Sequence, residues 1–207
     1  MNSVHSMTTA RRDRLKAELR NEILAAARDL FARQGYESVS IRKIAERCGC
    51  APGTIYLHFE DKDQILSAIC AETFAILKQR MAAISKDTGD PLERLRRSGR
   101  QYIQFGIDHP YHYIVTFGVA PGTQAGKSDA DHQAGMECFQ SLRDCVQRCQ
   151  ESGQLRFPDV EEVAQALWAT THGLVMLLIT KAGFPFVEQT RLIETTLDMS
   201  IEGIRAR

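Results

Sequence analysis

The sequence predicts an all-α protein of about nine helices, in which a small N-terminal head precedes a larger helical domain. Two observations indicate this class. Apolar residues recur at the three- and four-residue spacing of amphipathic helices along most of the 207 residues, and no segment alternates polar and apolar residues as a half-buried strand does. The composition is that of a globular protein, with 43% hydrophobic and 25% charged residues. We place the head at residues 1–60 and the second domain at residues 61–207.

The first two predicted helices have clear ends. Apolar residues share one face over about residues 14–34, and Gly35 follows where a helix stop is expected. Ser40 can cap a second helix over residues 41–48, because its hydroxyl can accept a hydrogen bond from a backbone amide of the first turn. Gly49 then ends this second helix.

A third, short helix is predicted over about residues 51–59. Pro52 suits its first turn, where the missing N–H costs nothing, and Ile55 and Phe59 share its inward face. The next helix begins near Asp61. The remaining predicted helices cover about residues 91–109, 110–118, 136–152, 159–182 and 186–205, with a break at residues 86–91 and a loop at residues 120–135.

The three helices of the head fit a helix-turn-helix arrangement, in which the third helix enters the major groove of DNA. Residues 1–58 hold 10 Lys and Arg against 6 Asp and Glu, a net charge of +4, and the remainder of the chain carries −4. Small residues at the front of the third helix allow close approach to bases. The hydroxyl, phenol and imidazole groups that follow can bond phosphates.

Three motifs in the head are specific. They are F-x-x-x-G-Y at 31–36, I-R-K-I-A at 41–45 and G-T-I-Y-x-H-F-x-x-K at 53–62. With these motifs, residues 23–66 resemble the DNA-binding domain of TetR-family transcriptional regulators. The resemblance implies a homodimer that binds double-stranded operator DNA. It also implies a second domain that senses a small-molecule effector, and most such regulators are repressors that release the operator when the effector binds.

The resemblance also implies roles for individual residues of the head. Phosphate contacts are implied for Ser40, Thr54, Tyr56, His58 and Lys62. Positions at or near base edges and backbone are implied for Arg42, Lys43, Ala51, Pro52 and Gly53. For Arg42 and Lys43 an ordinary solvated helix face is an equal alternative. Four basic residues near the N-terminus form either an arm for the minor groove or a disordered tail, and they are Arg11, Arg12, Arg14 and Lys16.

The second domain offers a dimer interface and a ligand pocket. The interface is predicted on the apolar stripes of the last two helices, formed by Val163, Leu167, Leu174, Leu178, Ile193, Leu197, Ile201 and Ile204. The pocket lining is predicted from Tyr102, Phe105, Tyr113, Phe117, Phe139, Trp168, His172 and Met176. For both sets, packing inside one subunit is the alternative. Residues 109–118 and 168–173 resemble a TetR C-terminal type with a Trp and a His-Gly in its eighth helix.

Other classes of function find less support. We expect no enzyme, cofactor or metal, because the sequence has no P-loop, nucleophile elbow, zinc-protease or dinucleotide motif. We expect a cytoplasmic protein without a membrane partner, since the N-terminus has no signal-peptide segment and no apolar run has spanning length.

Two alternatives to the small-molecule regulator stay open. One is the same head switched by oxidation or metal at Cys138, Cys145 and Cys149, aided by His109 or His112. The other is a helical binding or catalytic domain with a vestigial head.

Overall fold

A computed structural model describes residues 3–85, 88–118 and 129–207, and within them the chain forms nine α-helices. They are α1 (Ser3–Gln34), α2 (Ile41–Cys48), α3 (Pro52–Tyr56), α4 (Lys62–Ser85), α5 (Pro91–Asp108), α6 (Pro110–Phe117), α7 (Asp129–Glu151), α8 (Val160–Thr180) and α9 (Gln189–Ile204). Across those three described ranges, extended pairing is limited to an isolated bridge between Leu155 and Arg205. The predicted all-α class is confirmed.

The chain divides into two compact units. The first comprises Met1–Ala71 and Ile114–Ser128, and the second comprises Glu72–Tyr113 and Asp129–Arg207. Helices α4 and α6 therefore each contribute residues to both units.

In the first unit α1 packs on α2, and α2 packs on α3. The predicted helix ends are confirmed, because Gly35 and Gly49 adopt the left-handed φ angles of 79° and 68° that favour glycine. The Ser40 hydroxyl accepts a hydrogen bond from the Lys43 amide at 3.3 Å, as an N-cap does. The core side chains come from the three helices, from the segments that join them and from the start of α4, and they include Ile23, Leu24, Ala27, Phe31, Tyr36, Val39, Ile44, Ala45, Ile55, Phe59, Ile65 and Leu66.

In the second unit α5 packs against α7, α8 and α9. The close approach of α5 to α8 depends on Gly106, since a Cβ at this position would clash with Val175 Cγ1 and lie 3.0 Å from a ring carbon of Tyr113. One core cluster joins Leu92, Leu95, Cys145, Val146, Cys149, Val163, Ala164, Leu167, Ile201 and Ile204.

By length and composition alone α8 can cross a membrane, a test that core helices of soluble proteins also pass.

Three segments differ from the prediction. Helix α1 starts at Ser3, so the four basic residues predicted as an arm or tail lie on an exposed helical surface. Helix α3 ends at Tyr56, and His58 and Phe59 follow it in a turn. Residues 129–135, predicted as loop, form the first turns of α7, where Asp129 and Asp131 suit the positive end of the helix dipole. The rest of that predicted loop, residues 120–128, lies outside the described residues.

Candidate nucleic-acid interface

The turn between α2 and α3 sets the direction of the short third helix. Gly49 takes the left-handed conformation that ends α2, and the Cys50 amide donates to the Ala45 carbonyl at 3.0 Å. Ala51 is extended, and its carbonyl accepts the Thr54 amide at 2.9 Å, which starts α3. These bonds fix α3 relative to α2, as a helix-turn-helix unit requires.

The leading edge of α3 faces outward. Ala51, Pro52 and Gly53 are exposed, and no atom lies within 4 Å of the position where a Cβ would stand on Gly53. Tyr56 is 57% exposed, whereas Ile55 beside it is fully buried. The helix thus has one face in the core and one free to approach DNA.

The basic side chains of α2 lie at the surface. Arg42 pairs with Glu46, with 3.2 Å between Nε and Oε1. Lys43 Nζ donates to the Ser38 carbonyl at 2.8 Å and to Gln34 Oε1 at 3.3 Å. An exposed ion pair contributes little stability, so the Arg42 charge can turn to a phosphate at small cost, whereas the Lys43 ammonium is engaged with the α1–α2 turn.

His58 is half-buried beside α1. Its Nδ1 atom is buried and has no hydrogen-bond partner among the residues that the structure describes. Burial, with the positive charges of Lys16 and Arg20, lowers its pKa. His58 is therefore neutral at pH 7 and can offer DNA an N–H group but no positive charge.

Lys62 makes contacts inside the protein. Its Nζ donates to the Tyr36 carbonyl at 3.0 Å and lies 4.0 Å from the centre of the Tyr36 ring. The Tyr36 hydroxyl donates to the Asp63 carboxylate. We call Tyr36, Lys62 and Asp63 the Tyr36 clamp.

Six of the eight residues predicted to line a pocket meet in the second unit, and we call them the aromatic cluster: Tyr102, Phe105, Tyr113, Phe139, Trp168 and His172. At its centre, the fully buried Tyr113 hydroxyl lies 2.9 Å from Tyr102 Oη and 2.8 Å from His172 Nδ1. Trp168 Nε1 donates to Tyr102 Oη at 3.1 Å. Hydrogen bonds therefore link side chains of α5, α6 and α8.

Burial sets the charge of this cluster. It raises the pKa of Tyr102 and of Tyr113, and it lowers the pKa of His172. All three groups are therefore neutral at pH 7.

Of the other two residues predicted for the pocket, Met176 lies one turn beyond His172 on α8, and Phe117 belongs to the first unit.

The residues predicted for the dimer interface lie mostly in the core of one chain. Seven of the eight are buried there, and Leu178 is half-buried. Exposed apolar side chains of the same region lie outside the predicted interface set, and they are Leu177, Phe184, Val187, Met199 and Trp168, the last of which is predicted for the pocket. Periodicity marks an apolar stripe but cannot tell which part of it meets a neighbouring helix.

The cysteines of α7 show no feature that supports a metal or redox site among the described residues. Burial raises the pKa of Cys138 and raises that of Cys149 to about 12, and Cys145 is buried. Because the thiolate is the reactive and metal-binding form, these thiols are poorly suited to either task. Among residues 3–85, 88–118 and 129–207, no three His, Cys, Asp or Glu side chains are grouped so that they could hold a metal ion. The alternative of oxidation or metal switching is not supported.

Two family models match the chain. The model described as "Bacterial regulatory proteins, tetR family" matches residues 23–69, and "Tetracyclin repressor-like, C-terminal domain" matches residues 95–200. The chain belongs to the TetR family, which confirms the predicted family. The more detailed resemblance of the eighth helix stays a prediction.

Individual relatives share parts of the sequence or the whole fold. The HTH-type transcriptional repressor AcnR of Corynebacterium diphtheriae is 39% identical over 70 residues, which are 34% of this chain and 35% of AcnR. The chain spans about a third of the length of the curated relatives it matches.

Two solved structures share the fold. The ketosteroid transcriptional regulator KstR2 of Mycobacterium tuberculosis is 22% identical, with a TM-score of 0.74 over 91% of this chain and 95% of KstR2. AibR, solved with isovaleryl coenzyme A and operator DNA, is 20% identical, with a TM-score of 0.75 over 87% of this chain and 97% of AibR. These matches confirm the predicted arrangement of a helix-turn-helix head and a helical second domain.

Proposed function

We propose that this chain is a sequence-specific DNA-binding transcriptional regulator of the cytoplasm, a repressor that a small apolar ligand releases from its operator. The observation that carries the proposal is the outward face of α3, which Ile55 anchors on the core. Membership of a family of regulatory proteins and the similarity to the repressor AcnR support it. The relatives are regulators, and we propose no catalytic step.

The proposed DNA contacts follow the placement of the side chains. Thr54 and Tyr56 lie at or near the surface beside the bare backbone of Gly53, where a hydroxyl can reach a phosphate and the helix can approach base edges. Arg42 and Lys43 add exposed positive charge from α2. His58 contributes a neutral N–H group rather than a charge.

We propose a homodimer whose interface is formed by outward-facing side chains of α8 and α9. Leu177 is 47% exposed and Met199 is 73% exposed in the single chain, with Phe184 and Val187 exposed between the two helices. Several exposed apolar side chains on two helices that pack together, and on the segment joining them, are typical of an association surface. Two heads in one dimer can then read half-sites about one turn of DNA apart.

The aromatic cluster is the proposed ligand site. Its neutral hydroxyl, indole and imidazole groups stand among aromatic rings, so it suits an apolar molecule with one or two polar atoms. AibR with isovaleryl coenzyme A and the ketosteroid regulator KstR2 support apolar acyl or steroid-like molecules as ligands. A ligand releases DNA to the extent that it binds the DNA-free conformation more tightly.

Replacing Tyr113 by phenylalanine tests whether the aromatic cluster acts as one unit. The change removes the buried hydroxyl that bridges Tyr102 and His172, and we expect a loss of about 1–3 kcal/mol in the free energy of unfolding because two half-buried polar groups each lose one partner. Trp168 is the only tryptophan of the chain and is bonded to Tyr102. Its emission during urea unfolding therefore reports on the cluster, and we expect the folded-state spectrum to shift.

The matched control is Tyr56→Phe, which removes an exposed hydroxyl from the head. We expect it to change the free energy of unfolding by less than about 0.5 kcal/mol and to leave the Trp168 spectrum unchanged. Equal effects of the two variants would contradict the proposed cluster. Titrating the Trp168 emission of the unaltered protein with acyl coenzyme A compounds then surveys the ligand class.

Selection from a random duplex library tests the DNA-binding proposal. We expect enrichment of an inverted repeat whose half-sites lie about 34–36 Å apart, because each head of the dimer reads one major groove. A library without enrichment after repeated rounds would contradict the proposal.

A further inference from the structure

We infer that Lys62 is a positioning residue that holds the α1–α2 turn against the start of α4, rather than a phosphate contact. The expected effect of Lys62 on DNA affinity rests on the proposed DNA-binding function. The contact between Lys62 and Tyr36 does not depend on that function. Lys62 Nζ donates to the Tyr36 carbonyl at 3.0 Å and lies 4.0 Å from the centre of the Tyr36 ring. One ammonium group is thus engaged with both the backbone and the ring of a residue 26 positions earlier.

The surroundings of Lys62 are unfavourable for a phosphate. Glu60, Asp61 and Asp63 flank it in the sequence and repel an anion. The start of α4 is also already capped, because Asp61 Oδ1 accepts the Gln64 amide at 2.8 Å and Gln64 Oε1 accepts the Glu60 amide at 3.0 Å. Within the first turn of α4, the Gln64 amide is therefore already engaged by the Asp61 carboxylate, whose negative charge also occupies the end of the helix that attracts a phosphate.

The other end of Tyr36 is held as well. Its hydroxyl donates to the Asp63 carboxylate, and burial together with this carboxylate raises the Tyr36 pKa. The first turn of α4 thereby contacts Tyr36 at the carbonyl, the ring face and the hydroxyl. Tyr36 in turn packs its ring on Phe31 of α1, with 5.2 Å between the ring centres.

The held turn leads directly into the DNA-reading helices. It contains Ser38, whose carbonyl accepts Lys43 Nζ at 2.8 Å, and it ends at Ser40, the N-cap of α2. Lys43 from α2 and Lys62 from α4 therefore hold two carbonyls of the same turn. Loss of the Lys62 contact leaves the Tyr36 carbonyl with the Val39 amide, at 3.3 Å, but without a bond to α4, and this loosens the placement of the α2 N-terminus.

The test compares Lys62→Ala with Arg42→Ala in binding to a fluorescently labelled duplex of mixed sequence over a potassium chloride series. For Lys62→Ala we expect an unchanged slope of log affinity against log salt, an affinity about three- to tenfold lower at each salt concentration, and a thermal midpoint lower by about 2–4 °C. For Arg42→Ala we expect the slope to fall by about 0.9 and the midpoint to stay, because Arg42 is exposed. Lys62→Arg, which keeps a donor and a cation, should retain the affinity.

A slope that falls by about 0.9 in Lys62→Ala with an unchanged midpoint would overturn the inference and make Lys62 a phosphate contact. A lower midpoint with unchanged affinity at a temperature where the variant is folded would overturn it too, since the residue would then only stabilise. Should Lys62→Ala fail to fold, Lys62→Gln replaces it, because glutamine removes the charge but keeps an N–H donor. An unchanged slope of log affinity against log salt in Lys62→Gln then supports the inference, and a slope lower by about 0.9 overturns it. If the unaltered protein binds no DNA, the proposed function fails, and the midpoints of the Lys62 and Arg42 variants still test the Tyr36 clamp.

Discussion

Ile55→Ala is expected to abolish DNA binding at 37 °C, because α3 has only five residues and depends on this one anchor. Helices this short are unstable alone, and Ile55 is the fully buried side chain of α3. Truncating a buried isoleucine costs about 2–5 kcal/mol, a large part of the 5–15 kcal/mol by which domains are stable. Amide hydrogen exchange over residues 41–59 and binding to the selected duplex measure the two consequences.

Leu57→Ala provides the control within the same turn. Leu57 is 74% exposed, so we expect a change below about 0.5 kcal/mol and normal exchange of the α2 and α3 amides. Loss of DNA binding by Leu57→Ala with unaltered exchange would identify Leu57 as a DNA contact. Full DNA binding by Ile55→Ala would contradict the assignment of α3 as the reading helix.

Gly106→Ala is expected to cost about 1–3 kcal/mol and to disturb the aromatic cluster. The added Cβ would clash with Val175 Cγ1 and press on the Tyr113 ring, where α5, α6 and α8 meet. An alanine normally stabilises a helix relative to glycine, so a loss of stability here can only come from the packing. Urea unfolding followed by Trp168 emission measures both the stability and the state of the cluster.

The double variant Gly106→Ala/Val175→Ala tests the cause of that loss. Removing the Val175 methyl groups makes room for the new Cβ, so the two changes should be coupled, and the double variant should lose less stability than the sum of the single variants. Simple additivity would contradict the packing account.

The local features of the head could be predicted from the sequence. The Ser40 cap and the stops at Gly35 and Gly49 each depend on one residue and its neighbours, and all three are present. Ile55 and Phe59 are buried as their helical spacing predicts. The three family motifs lie on these helices and turns of the head. They therefore predict the class of protein without any knowledge of the tertiary contacts.

The tertiary contacts could not be predicted in the same way. Lys62 meets a carbonyl 26 residues away, and the hydrogen bond between Tyr113 and His172 joins residues 59 positions apart. Neither pairing leaves a local signal. On α8, Leu174 is buried and Leu177 exposed because the neighbouring helices cover only part of the apolar surface. The predicted stripe contains Leu174 and Leu178 but not Leu177, because amphipathic spacing gives no signal for an apolar residue that stays exposed beside the stripe.

The central claim is that the head reads a particular DNA sequence. The most direct measurement is the ratio of affinities for the selected duplex and for a scrambled duplex of the same composition at the same salt concentration. We expect a ratio of about 10³ or more, since base contacts from α3 add to the phosphate contacts that any duplex offers. A ratio near one would contradict the claim, because binding would then depend on phosphates alone.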